Sequence, residues 1–124
     1  QGQEFDKTAV PYIRQVIPEI STWDPETVKA LMAPEVAATI PDEKFIRAMR
    51  FFSKLGALQS IDEPEFSEAH VDRKTDIGRQ TILEYKIDAR YENDEAEINL
   101  QLLEKGASYE IYRFNFSSEL LLSS

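Results

Sequence analysis

The sequence predicts an α+β domain in which N-terminal helices pack into the concave face of a long, curved, bulged antiparallel sheet. Three observations predict it. All six prolines, at positions 11, 18, 25, 34, 41 and 64, lie at or before Pro64. The apolar period is helical in the first half and alternating in the second. The alternation of the last segment skips one residue, which is what a bulge in a bent strand produces.

The helical half opens on Phe5, Ala9, Tyr12, Ile13, Val16, Ile17 and Ile20, whose spacing lays one apolar stripe along a helix from about Phe5 to Ile20. A proline removes an N–H and clashes with the carbonyl four residues back, so Pro11 is expected near the first turn, and Pro18 is expected to kink or end the helix. Asp24-Pro25-Glu26 is a start signal: a capping carboxylate, a proline at the first helical position and an acid favoured by the helix dipole. This second helix is expected to reach about Leu31. Pro41-Asp42-Glu43 starts a third, with Phe45, Met49, Phe52 and Leu55 on one face and Gly56 as a left-handed stop.

Strands are expected from Gly56 to about Ile61 and from Phe66 to about Lys74, divided at Pro64, with a turn at Asp76-Ile77-Gly78. Thr81, Leu83, Tyr85, Ile87, Ala89 and Tyr91 then alternate with polar residues, giving a strand with one dry and one wet face. A two-residue turn at Asn93-Asp94, with positive φ, would pair Tyr91 with Ala96, Ala89 with Ile98, Ile87 with Leu100 and Tyr85 with Leu102, and would set Arg90 opposite Glu97. In the last strand Tyr109 and Ile111 share one phase, Phe114 and Phe116 the other. One extra residue near Tyr112-Arg113, after a turn at Gly106-Ala107, sets Ile111 against Leu102, Phe114 against Leu100 and Phe116 against Ile98.

Composition bounds the function. At 124 residues, with 42% hydrophobic and 30% charged side chains, the chain has the balance of one folded domain spanning 1–124, helices about 5–55 and sheet about 57–120. Fourteen Lys and Arg against 23 Asp and Glu leave a formal charge of −9, which argues against nucleic acid and anionic lipid surfaces as partners. No cysteine is present, so disulfides, thiol catalysis and zinc-thiolate sites are excluded. Leu120-Leu121-Leu122 is far too short to span a bilayer. Gln1-Gly2-Gln3 carries no charged-then-apolar leader, so a leader is expected to be absent or already removed.

Phe51-Phe52-Ser53-Lys54-Leu55-Gly56, then Ala89-Arg90-Tyr91-Glu92-Asn93 running into Ala96-Glu97-Ile98, then Tyr109-Glu110-Ile111-Tyr112-Arg113-Phe114, carry a resemblance over nearly the whole chain. The sequence resembles the nuclear transport factor 2-like (cystatin-like) superfamily, and within it the small bacterial branch of domains without an assigned function. The resemblance implies a cone-shaped fold and, because that branch commonly looks exported, a periplasmic or secreted location. It does not imply an activity, since the superfamily spans isomerases, cyclases, dehydratases, transport factors and catalytically silent binding modules.

In the superfamily's enzymes a carboxylate or histidine works against an apolar wall inside the cone. The inward positions expected here, Thr81, Leu83, Tyr85, Ile87, Ala89, Tyr91, Ala96, Ile98, Leu100, Leu102, Phe114 and Phe116, include none. Asp88, Glu97, Lys86 and Arg90 fall on the wet face, and His70, the single histidine, is out of phase with Ala69 and Val71. No catalytic residue, metal site or cofactor is therefore assigned. Tyr12, Trp23, Tyr85 and Tyr91 are either core fillers or the lining of a mostly apolar pocket for a small hydrophobic ligand, with Thr81 and Glu104 at its rim. The expected function is a non-catalytic binding or accessory domain. One alternative is an isomerase- or cyclase-like enzyme using Asp24 or Asp88 as base and a tyrosine as donor. Another is a sheet-packed homodimer formed through Ile82, Leu103 and Tyr112, which interrupt the polar outer face.

Overall fold

The computed structural model describes residues 2–72 and 80–123, so the turn expected at Asp76-Ile77-Gly78 lies outside the described residues. The first helix, α1, runs Gly2–Ile20 with both Pro11 and Pro18 inside it, where a first-turn position and a break were expected. Both prolines are exposed, and so are Lys7 and Arg14, whose carbonyls lose their partners; water can satisfy those carbonyls. Each interior proline costs about 3 kcal/mol. Full burial of Ile13, Val16, Ile17 and Ile20 on the opposite side contributes about 1.5–3 kcal/mol apiece and outweighs that cost.

Asp24 caps α2 (Pro25–Lys29) through the Thr27 N–H. A further short helix, α3 (Pro34–Ala37), has no counterpart in the sequence reading. α4 spans Asp42–Phe52 and buries Phe45, Met49 and Phe52. One 3-10 turn, Ser53–Leu55, then ends at Gly56 with φ 82°. A Cβ there would come within 2.8 Å of Glu92 Oε1 and 3.0 Å of Asn93 Nδ2, so the stop needs glycine for space as well as for its dihedral.

The sheet that follows is antiparallel. β1 (Leu58–Ile61) and β2 (Glu65–Asp72) share one edge of β3 (Gln80–Tyr91), which pairs with β4 (Glu95–Lys105), which pairs with β5 (Ser108–Ser117). A last turn of helix, α5 (Glu119–Leu122), is capped by Ser118. The β4–β5 pairing is the expected one: Ile98 faces Phe116, Leu100 faces Phe114, Leu102 faces Ile111, and the register shifts where Tyr112 is the extra residue.

The β3–β4 register differs from the expectation by two residues. Ala89 faces Ala96, Ile87 faces Ile98, Tyr85 faces Leu100, and Arg90 faces Glu95 and forms an ion pair with it. A slip of two leaves every side chain on its expected face, so the dry and wet faces stand while the partners change. The turn closes with the Tyr91 N–H donating to the Asp94 carbonyl at 2.9 Å and is set by two tertiary bonds, from the Glu92 N–H to the Ala57 carbonyl at 2.8 Å and from the Asn93 N–H to the Leu55 carbonyl at 2.9 Å. Neither Asn93 nor Asp94 has positive φ; among the described non-glycine residues Trp23, at 62°, does.

One hydrophobic core draws side chains from every element, α1 to α5. The link between α2 and α3 extends it. Met32 bridges Ile111 in parallel, with the Ala33 N–H donating to the Ile111 carbonyl at 2.9 Å and the Ile111 N–H to Leu31 at 3.0 Å. Alternate residues of such a segment point to opposite faces. Met32 accordingly joins the main core, and Ala33 joins Ile82 and Leu103 in a second cluster with Val36 and Tyr112 packed against it.

Candidate functional site

The aromatic residues singled out by sequence separate into two groups inside the core. Tyr91 shares a 2.7 Å hydrogen bond with Ser21 Oγ. Trp23 donates its indole N–H to the Gly56 carbonyl at 3.0 Å and packs on Tyr91 and Phe116. Tyr85 donates to Asp6 Oδ1 at 2.5 Å. Tyr12 packs in a tilted contact, 5.7 Å between ring centres, on Tyr109, whose hydroxyl meets Thr8 Oγ1 at 2.7 Å. Burial pushes the phenols of Tyr12 and Tyr91 up to about 12 and raises that of Tyr85 as well, with Asp6 adding to the shift. Buried phenols held neutral and bonded internally, as those of Tyr85 and Tyr91 are, rigidify a core, and none of the four aromatics lines the two grooves described next.

The other sequence candidates are also placed. Ile82 and Leu103 are 2% and 0% exposed beneath Ala33 and Val36 of the same chain, so they offer no open surface to a second copy, and Tyr112 is half-buried beside them. Asp24 is exposed and accepts from Thr27 N–H and Oγ1 at 3.1 and 2.6 Å, bonds that hold its carboxyl below the usual range. Asp88 and His70 are exposed, His70 Nδ1 lying 3.7 Å from Glu68. Thr81 is half-buried and Glu104 exposed.

A groove of about 520 Å³ opens elsewhere, between α3 and its following loop, α4 and the bulged stretch of β5. Its floor is apolar: Met32, Val36, Ile40, Phe45, Ala48, Phe52 and Phe114. Each wall has a local cause. The helical period of α4 turns Phe45, Ala48 and Phe52 to one side. The extra residue at Tyr112 rotates Phe114 inward, where its ring meets those of Phe45 and Phe52 at 6.3 Å each. Lys29 fixes the third wall by donating to the Ile40 carbonyl at 2.8 Å and to Asp42 Oδ1 at 2.7 Å. That contact holds the Asp42 carboxyl below its usual range.

The rim carries the charge. Glu35 lies 3.0 Å from Lys105 Nζ, which is also 3.7 Å from Glu110. The Glu35 carboxyl is lowered by its own backbone N–H and then by Lys105; the Lys105 ammonium is raised, chiefly by its hydrogen bond to Glu35. Lys44 and Arg113 also line the groove, and neither has a carboxylate partner among the described residues. Among the described residues the groove therefore combines an apolar bed with a rim whose acid is ion-paired and whose Lys44 and Arg113 are not.

A second groove, about 600 Å³, lies on the wet side of the sheet by the β3–β4 turn, lined by Asp62, Asp88, Asp94, Glu95, Glu97 and Glu119 with Arg90. It offers no apolar bed, and among the described residues no His, Cys, Asp and Glu group has the geometry to hold a metal ion. The apolar groove is thus the better candidate, and its key residues were not assembled by sequence reasoning. The available signals were the phenylalanine-rich stripe of α4 and the inward phase of Phe114. What was missing was the wall supplied by Ala33–Ile40. No family model, curated protein or solved structure matches the chain.

Proposed function

We propose that this chain is a nuclear transport factor 2-like domain serving as a non-catalytic binding module, with its ligand seated in the groove of Phe45, Phe52 and Phe114. The observation that carries this reading is the groove itself: about 520 Å³ of largely apolar space, within the range of small-molecule sites, with its polar groups at the edge. Among the described residues its titratable lining is Glu35, Lys44, Tyr112 and Arg113, and Glu35 is ion-paired at the rim. An enzyme of the isomerase type needs a desolvated base facing its substrate, and Asp24 and Asp88 are exposed outside this groove. No helix among the described residues is long and apolar enough to cross a membrane.

The test is a fluorescence titration with the apolar probe N-phenylnaphthylamine, on the native chain and on Ala48→Trp. Ala48 is half-buried in the groove lining, so a tryptophan fills the bed while the core beneath keeps its packing. Saturable one-site binding is expected, lost in Ala48→Trp at unchanged far-UV circular dichroism. Undiminished binding by a folded Ala48→Trp variant would overturn the assignment.

A further inference from the structure

Resting on that reading, we infer that the groove takes a single-chain amphiphile with an anionic head, its alkyl chain along Phe45, Phe52 and Phe114 and its carboxylate between Lys44 and Arg113. The chain carries a formal charge of −9, so a cationic rim is opposite to the average surface. Lys44 stands in the first turns of α4 and Arg113 at the β5 bulge, so the two reach the groove from different walls. Glu35, the carboxylate that lines the groove among the described residues, is held by Lys105 at 3.0 Å, which offsets the repulsion an anionic head would otherwise meet. Arginine offers a planar donor fork that matches a carboxylate, and lysine adds a point charge. Each methylene laid on the apolar bed improves affinity by up to about four-fold.

The experiment displaces N-phenylnaphthylamine with dodecanoate, dodecanol and dodecyltrimethylammonium, all below their micelle concentrations, on the native chain and on Lys44→Gln/Arg113→Gln. Both substitutions are at exposed positions and leave the core intact. Dodecanoate is expected to bind about ten-fold more tightly than dodecanol, with the trimethylammonium weakest. The double variant is expected to lose that preference, dodecanoate falling to the affinity that the same variant shows for dodecanol, and added salt should weaken dodecanoate alone. Equal affinity for dodecanoate and dodecanol, a preference for the cation, or a preference that survives in the double variant overturns the anionic head and leaves the apolar groove standing. Displacement by none of the three defeats the groove reading as well.

Discussion

The two ends of the aromatic core are built from similar rings and finished differently. At one end Trp23, Tyr91 and Phe116 pack together, and each polar atom among them is bonded within the chain, the indole to Gly56 and the phenol to Ser21. At the other end Phe45, Phe52 and Phe114 meet with no polar atom to satisfy, and the surface beside them stays open as a groove. The two ends are continuous, since Phe52 and Phe116 lie 4.9 Å apart. At the closed end the rings with a polar handle lock to fixed partners, whereas the three rings of the open end have no such lock and border a groove.

The largest expected effect separates the ends by stability and binding. Trp23→Ala deletes a ring and an indole hydrogen bond at the closed end and is expected to cost about 3 kcal/mol. Phe114→Ala, at a position half-buried like Trp23 but removing a smaller ring with no hydrogen bond to lose, is expected to cost only about 1–2 kcal/mol, yet to abolish binding of the apolar probe. Urea unfolding midpoints at constant m-value, set beside probe titrations, measure both. If Phe114→Ala proves the more destabilising, or Trp23→Ala the more damaging to binding in its folded fraction, the division between a closed end and an open one is lost.

A smaller effect isolates the polar lock. Tyr91→Phe leaves Ser21 Oγ buried without its 2.7 Å partner and is expected to cost about 1–2 kcal/mol at neutral pH. Ser21→Ala is expected to cost about the same, and the double variant less than the sum. The pH profile follows from the raised phenol. Folding holds Tyr91 neutral up to about 12, whereas an unfolded tyrosine ionises near pH 10. Its contribution is therefore complete below about pH 10 and is lost as pH climbs from there to about 12, a fall on the order of 2 kcal/mol. Tyr12 shares the window with a smaller share, being more exposed. Tyr91→Phe should flatten the alkaline limb of the stability curve; an unchanged limb would mean that Tyr91 ionises freely in the folded state.

What could be read from the residues divides along the same line. Alternation in β3 and β4 assigned faces correctly, because face depends only on parity, and the Tyr112 bulge was visible as a break in parity. Pairing was not visible to the same degree, since the β3–β4 turn is set by bonds from Glu92 and Asn93 to Ala57 and Leu55, residues far away in sequence. Trp23 was recognised as an aromatic of interest, but its positive φ is a strained choice that only the surrounding packing explains. The open end was the least legible. Its wall is the Ala33–Ile40 stretch, too short and too weakly patterned to be placed by period, and the same stretch covers Ile82 and Leu103, which by alternation alone belonged to a wet face.

The smallest expected effect concerns the rim of the open end. Glu35→Gln removes one of two carboxylates that contact Lys105, and the other, Glu110, already lies 3.7 Å from the same nitrogen with its Oε1 buried and lacking a hydrogen bond. The ammonium freed from Glu35 can close on that oxygen, so one exposed bond is lost as a more sheltered one shortens. The net change in stability is expected to be too small to resolve, in contrast to the closed end, where among the described residues no second partner waits for Ser21 Oγ. Thermal unfolding of Glu35→Gln beside Glu35→Gln/Glu110→Gln measures it: the single variant should match the native chain within error, and the double variant should fall below both. A single variant as unstable as the double would show that Lys105 depends on Glu35 alone, and that the rim is as rigidly locked as the closed end.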